Sequence, residues 1–286
     1  MKRHARARRM RRCTLRARCV LTASRRLRLH AIVLAALASL LAQQGVLADT
    51  IQYRGTAIDP ATHRVLYRET HIVQRDNGKP GVRIVLYQCI DGTTFARKRV
   101  DYAASAIAPD FELTDARDGY REGVRRERGR IDAFAGSAPH GVRTAALTPS
   151  TTLVADAGFD AFVDGNWNGL LAGRTLALQF VVPAKGQAYD FRLGKQATTV
   201  IDGVPTVVFR LRMGGLLALF APHIDVAYAL ATHRLLRFTG ITNIRHADGG
   251  QIVAQIDFPA VAPAAVASTA LQDAIALPLQ ACRTAF

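Results

Sequence analysis

Three carboxylates stand four residues apart, Asp156, Asp160 and Asp164, in a stretch whose apolar residues follow a helical spacing. Residues four apart share a side of a helix, so these could gather a cation or act as general acids. Calcium loops place their oxygen ligands closer together around a glycine turn, and a solvated polar face is the expectation. Outside the first 48 residues the histidines are His63, His71, His140, His223, His233 and His246. None forms H-E-x-x-H or another tight ligand pair, so scattered surface histidines are expected and no metal is. No serine stands in G-x-S-x-G. Ser137 and His140 share a loop-like Gly-Ser-Ala-Pro-His run, and no P-loop or dinucleotide fingerprint occurs. No residue is assigned a catalytic role, and no cofactor is expected.

The apolar residues of the same stretch are more informative. Phe159, Phe162, Val163, Trp167, Leu170 and Leu171 recur at three- and four-residue spacing, which gives one apolar face to a helix predicted over 152–172. Gly173 is its expected stop. A second apolar segment, Leu216 to Phe220, precedes Pro222. If both cover one mouth of a curved sheet, Phe159, Phe162, Trp167, Leu217 and Phe220 line a cavity for an acyl chain, lipid or lipoprotein segment. If both pack on the sheet, no cavity remains. Periodicity does not separate the two. The cluster from Arg125 to Arg130 could meet anionic head groups, or be a solvated hairpin end with Glu122 and Glu127 interleaved.

The elements around these residues read as strands. Val82, Ile84 and Leu86 alternate with Arg83, Val85 and Tyr87, the period of a strand. Asp91-Gly92, Asp118-Gly119, Asp202-Gly203 and Asp248-Gly249 are hairpin turn signals. A meander over 50–135, a connecting loop over 136–150, the helix, and a returning sheet over 174–258 make a single β-rich domain, 49–258. The expected fold is mainly β: an antiparallel curved sheet or incomplete barrel with one principal helix packed on it. Residues 259–286 form an Ala/Pro-rich C-terminal tail with a short helix near Thr269–Leu277. The tetrapeptide Ala-Thr-His-Arg occurs at Ala61–Arg64 and again at Ala231–Arg234, which is read as reuse of one hairpin chemistry.

The N-terminus points to a compartment. Residues 1–30 carry 12 Lys and Arg and no acid, the 12-residue run Ala31–Ala42 is apolar, and Val46-Leu47-Ala48 resembles a cleavage site. This pattern reads as a secretory signal peptide over 1–48, too short in its apolar run for a transmembrane helix. Export by the general or the twin-arginine route both remain open, the latter because of Arg25-Arg26. The leader also accounts for most of the charge. The chain carries 38 Lys and Arg against 22 Asp and Glu, for +16; without residues 1–48 it keeps 26 of the 38 and all 22, for +4. That balance does not call for nucleic acid. Cys13 and Cys19 leave with the leader, and Cys89 and Cys282 remain. An even pair in an oxidising compartment is expected to form a disulfide.

Three segments resemble a group of uncharacterised exported proteins of proteobacteria: Ala108–Leu113, Val154–Gly173 through Trp167, and Gly240–Arg245. The resemblance implies a periplasmic location and a shared fold, and no known activity. The order of meander, helical insertion and returning sheet is also similar to periplasmic lipoprotein-carrier proteins, which fold as incomplete β-barrels with helices plugging an apolar cavity. The expected function is a non-enzymatic exported envelope protein binding an acyl chain, lipid or lipoprotein segment. The alternative is an envelope protein–protein interaction module with no cavity, and an enzyme of unknown type is third.

Overall fold

Alternating apolar side chains and glycine-bearing two-residue turns dominate the chain, and the result is one continuous sheet. The computed structural model describes residues 49–286, apart from Pro139, residues 215–222, Ala247 and residues 283–286. The expected signal peptide, Leu217 and Phe220 lie outside the described residues.

The strands are β1 (Asp49–Ile58), β2 (Val65–Asp76), β3 (Lys79–Gln88), β4 (Thr94–Asp101), β5 (Asp110–Asp115), β6 (Tyr120–Glu127), β7 (Arg130–Ser137), β8 (Gly141–Leu147), β9 (Leu153–Val154), β10 (Leu176–Val182), β11 (Gln187–Ile201), β12 (Val204–Met213), β13 (Ile224–Ala229), β14 (Leu235–Arg245), β15 (Gln251–Asp257) and β16 (Ala264–Ala265). Helices α1 (Gly158–Gly165) and α2 (Trp167–Leu171) lie between β9 and β10, and α3 (Ala270–Ala276) follows β16. Strand order is β8-β7-β6-β5-β4-β3-β2-β1-β15-β14-β13-β12-β11-β10-β9. Neighbours along this path are antiparallel except the short β9–β10 pair. The path is not closed: no ladder joins β8 to β9 among the described residues. The two ends still meet, because the 3-10 turn Pro183–Lys185 packs on β6 and β7. A mainly β, curved, incomplete barrel is the observed fold.

The turns follow their residues. Asp202 (φ 49) and Gly203 (φ 78) both sit in the left-handed region that a tight hairpin needs. The two Ala-Thr-His-Arg copies build one turn twice. In each, the residue before the turn donates to the arginine carbonyl, Asp59 N to Arg64 O and Ala229 N to Arg234 O, both at 2.9 Å. His63 and His233 take positive φ in the two copies.

The helix is shorter than its apolar period suggested. It breaks at Asn166 into α1 and α2, and it starts at Gly158. A Cβ there would lie 2.2 Å from Ile107 O, so only glycine lets the helix approach the β4–β5 connection. The stretch 136–150, read as a loop, contains β8, an end strand exposed over most of its length that carries no apolar alternation to mark it.

The tail is part of the fold. β16 pairs with β1, and α3 lays Leu271 and Ala274 on Ile72, Ile84 and Leu86 of β2 and β3. Arg97 donates to Leu277 O at 2.9 Å, and Gln280 N to Thr94 O at 2.9 Å. Cys282 is then bonded to Cys89 across 193 residues. Closing so long a loop restricts the unfolded chain. Cys282→Ser is expected to cost about 2–4 kcal/mol and to speed amide exchange across α3. An unchanged melting temperature with α3 still protected would show that packing alone holds the tail.

Candidate functional site

The interior has an apolar half under α1 and α2 and a second half in which apolar clusters around Phe95 and Phe111 pack beside a chain of charged groups. In the apolar half, α1 and α2 present Phe159, Phe162, Val163, Trp167 and Leu170 to Leu178, Leu193, Val207, Phe209, Leu211 and Tyr228 of β10–β13. The Trp167 ring stands edge-on to Phe209 at 5.5 Å and stacks on His233 at 3.8 Å. His233 Nδ1 in turn meets Asp164 Oδ1 at 2.6 Å. Phe159, Phe162 and Trp167 are buried, each less than a tenth exposed. The structure therefore brings these three expected lining residues together, and packs them into the sheet as its core.

The charged chain hangs on Lys98. Alternation along β4 points Ala96, Lys98 and Val100 inward with Tyr87, Val85 and Arg83 of β3. Lys98 Nζ donates to Asp156 Oδ2 at 2.7 Å and to Asn243 Oδ1 at 3.3 Å. Asn243 Nδ2 donates to Glu122 Oε1 at 2.8 Å, and Tyr120 OH to Glu122 Oε2 at 2.9 Å. One chain of contacts thus joins β4, the approach to α1, β14 and β6. Asp156 is not on the helix. It precedes it at φ 45, with its side chain 4% exposed. The polar face expected for the three aspartates is therefore divided among separate partners. Asp156 takes Lys98, Asp160 accepts from Tyr228 OH at 2.9 Å, and Asp164 takes His233. The four-residue spacing gathers no common ligand.

His71 corrects the expectation of surface histidines. It is buried, its Nε2 lies 2.8 Å from Glu69 Oε2, and its ring stacks on Tyr53 at 4.5 Å. Burial pushes its pKa below 6.5, against the pull of Glu69. Arg83 reaches Asp160 at 3.6 Å. Burial works to lower its pKa, and nearby Tyr102, Tyr53, Asp160 and Asp156 carry it above the ordinary arginine value instead. Burial also pushes the Glu122 carboxyl up, against the hydrogen bonds from Asn243 and Tyr120 that hold it down.

A raised carboxyl beside a lysine has the ingredients of acid–base chemistry. Here those groups are committed to one another. Two surface concavities, about 510 and 670 Å³, lie elsewhere. The first is lined by Arg99, Arg121, Arg125 and Val142, the second by Gln179, Tyr189, Phe191 and Arg192, and neither is lined by a member of the Lys98 chain. No group of three or more His, Cys, Asp or Glu suited to a metal occurs among the described residues. No described helix is long and apolar enough to cross a membrane. The Arg125–Arg130 hairpin is partly engaged: Arg126 pairs with Asp110, Arg130 with Asp132, and Arg125 lies over Phe134.

Comparison with known proteins adds little. No family model matches the chain, and no curated protein matches it. Among solved structures, a β-barrel-like protein of domain of unknown function DUF1849 from Brucella abortus is similar at 6% identity and a TM-score of 0.37. The match covers 77% of this chain and 98% of that one. The likeness is distant and partial, and it carries no argument about function.

Two outcomes test the charged chain. Lys98→Met leaves Asp156 buried without its cation and is expected to cost about 3–5 kcal/mol. Adding Asp156→Asn, which still tolerates the left-handed backbone, should recover much of that loss. A double variant whose destabilisation equals the sum of those of Lys98→Met and Asp156→Asn alone would show that the pair is not coupled. Glu122 carries a folded-state pKa above the usual 4.5. Between the two values the native state binds more protons than the unfolded one, so its contribution to stability falls as pH rises through that window. Glu122→Gln should flatten this slope in urea unfolding measured from below pH 4.5 to neutrality. A slope unchanged by the substitution would contradict the assignment.

Proposed function

We propose that this chain is an exported, non-catalytic envelope protein that works by binding other proteins at its surface. The observation that carries the reading is the occupied interior. Helices α1 and α2 fill one half, and in the other apolar clusters around Phe95 and Phe111 pack beside the Lys98 chain. An acyl chain or lipoprotein segment held between sheet and helix would have to displace Phe159, Phe162 or Trp167 from their contacts. Exposing one such side chain costs about 1.5–3 kcal/mol, and the lipid reading would need the helices to swing away together. What the molecule offers instead is outside: exposed Val142, Val200, Val253 and Val261, and the exposed end strand β8.

The location is part of the same proposal. The basic, acid-free first 30 residues and the apolar run after them support export with cleavage near Ala48. The Cys89–Cys282 bridge suits an oxidising compartment such as the periplasm.

Photo-crosslinking in the native host tests the reading. A photoreactive residue is placed singly at Val142, Val200, Val253 and Val261, and the envelope fraction is illuminated. Discrete protein adducts at one or more positions are expected, on a chain whose N-terminus sequences near Asp49. Absence of adducts at every position, or a chain retained intact in the cytoplasm, would overturn it.

A further inference from the structure

Strand β11 is longer than the neighbour that covers it. On one side it pairs with β12 along its length, from Phe191–Met213 to Ile201–Val204. On the other, β10 reaches only to the Leu176–Leu193 pair. From Lys195 to Val200 the residues are all exposed, and no strand pairs with this edge among the described residues.

The edge groups can be identified. The Asp202–Gly203 turn is of the type whose flanking residues, Ile201 and Val204, exchange hydrogen bonds. Alternation makes Val200–Pro205 the non-bonded kind of pair. Pro205 agrees, having no N–H, and its carbonyl accepts from Leu230 N on the far side at 2.9 Å. The N–H and C=O of Val200 and of Thr198 therefore point away from β12 into the open edge. Natural edges are guarded by lysine, proline or a bulge. Here Lys195 and a bulge guard only the start of the segment. Ala197-Thr198-Thr199-Val200-Ile201 is uncharged and rich in β-branched residues, with Val200 63% exposed.

Cations outnumber acids beside this edge, where Asp202 stands at the turn and Asp190 two residues before Arg192. Arg192 stands directly opposite Arg212, an arrangement that weakens a ladder. Neither has a carboxylate partner among the described residues, and Arg212 has only a 3.3 Å hydrogen bond to Gln196. Exposed Lys195 and Arg174 are likewise without ion pairs among the described residues, and Thr175, next to Arg174, lies against Gly194. By contrast Arg210, on the same face of β12, is paired with Asp225.

We propose that the β11 edge from Gly194 to Ile201 takes an extended, acidic segment of a partner protein as an added strand. Backbone groups of Thr198 and Val200 supply the ladder, and Arg192, Lys195, Arg212 and Arg174 select carboxylates. A second copy of this chain fits less well, since its own edge brings Lys195 and no excess of acid. The inference rests on the interaction reading above and specifies its surface.

The test uses the chain from Asp49 onward and a short labelled peptide alternating Glu with Thr and Val, beside a matched peptide with Lys in place of Glu. Fluorescence anisotropy should show binding of the Glu peptide that weakens with salt, and little binding of the Lys peptide. Val200→Pro removes an outward N–H and no β11–β12 hydrogen bond, and should abolish binding. Arg192→Glu with Arg212→Glu, on exposed positions, should weaken it roughly tenfold or more. That pair carries the test if circular dichroism shows Val200→Pro to disturb the hairpin. Absent binding, no preference for Glu over Lys, or binding unaffected by both variants would overturn the proposal. So would a dimer in sedimentation that Val200→Pro dissolves, since a second copy would then hold the edge. Photo-adducts at Val142 or Val261 without peptide binding would remove this edge and leave the broader reading standing.

Discussion

The buried pair between Lys98 and Asp156 is the contact on which the arrangement of this molecule depends. A lone charge in the interior is costly, and a pair is tolerated only with good geometry and further hydrogen bonds. Lys98 comes from the wall of the sheet and Asp156 from the entry to α1. Asn243 and Glu122 extend the contact to β14 and β6. Satisfying Lys98 therefore fixes where the helical plug begins relative to three strands. Gly158 makes the same demand sterically, since the helix start touches the Ile107 carbonyl. The aromatic cluster of α1 and α2 can then reach β10–β13 in one orientation.

This division of labour explains why the sheet stays open without unravelling. Its two end strands form no ladder with each other, and an antiparallel sheet with free edges needs its concave face filled. The helices fill one half, and apolar clusters around Phe95 and Phe111 fill the other together with the charged chain. The C-terminal tail does the corresponding work outside, where α3 covers Ile72, Ile84 and Leu86 and the disulfide fastens its end. What the fold leaves uncovered is backbone at the margins, above all along β11 from Lys195 to Val200.

Much of this was legible in the residues. The Asp-Gly turns gave the hairpins, period-two alternation gave the strands, and the three- and four-residue spacing from Phe159 to Leu171 gave the buried helical face. An even cysteine pair gave the bridge. The charged chain was not legible. An inward lysine on a strand looks the same in sequence as an outward one, and with Arg97 and Arg99 on either side nothing local marks Lys98 as buried. Asp156 looked like the first of three helical aspartates because a four-residue interval says nothing about whether the first member is in the helix. His71 was missed for a related reason: its burial depends on Tyr53 and Glu69 arriving from pairing and alternation, and no local motif announces that. In the tail a short helix near Thr269–Leu277 was legible, and α3 spans Ala270–Ala276; its docking on Ile72, Ile84 and Leu86 was not, because no local spacing names a distant partner.

The central claim is that the interior between sheet and helices is filled by the protein's own side chains. Native mass spectrometry of the protein purified from its own envelope measures this most directly. The account predicts a mass equal to that of the processed, disulfide-bonded chain, with no lipid in a solvent extract. A stoichiometric lipid or acyl chain that survives desalting and is lost on changing Trp167 to a charged residue, with the β-sheet signal retained, would contradict it.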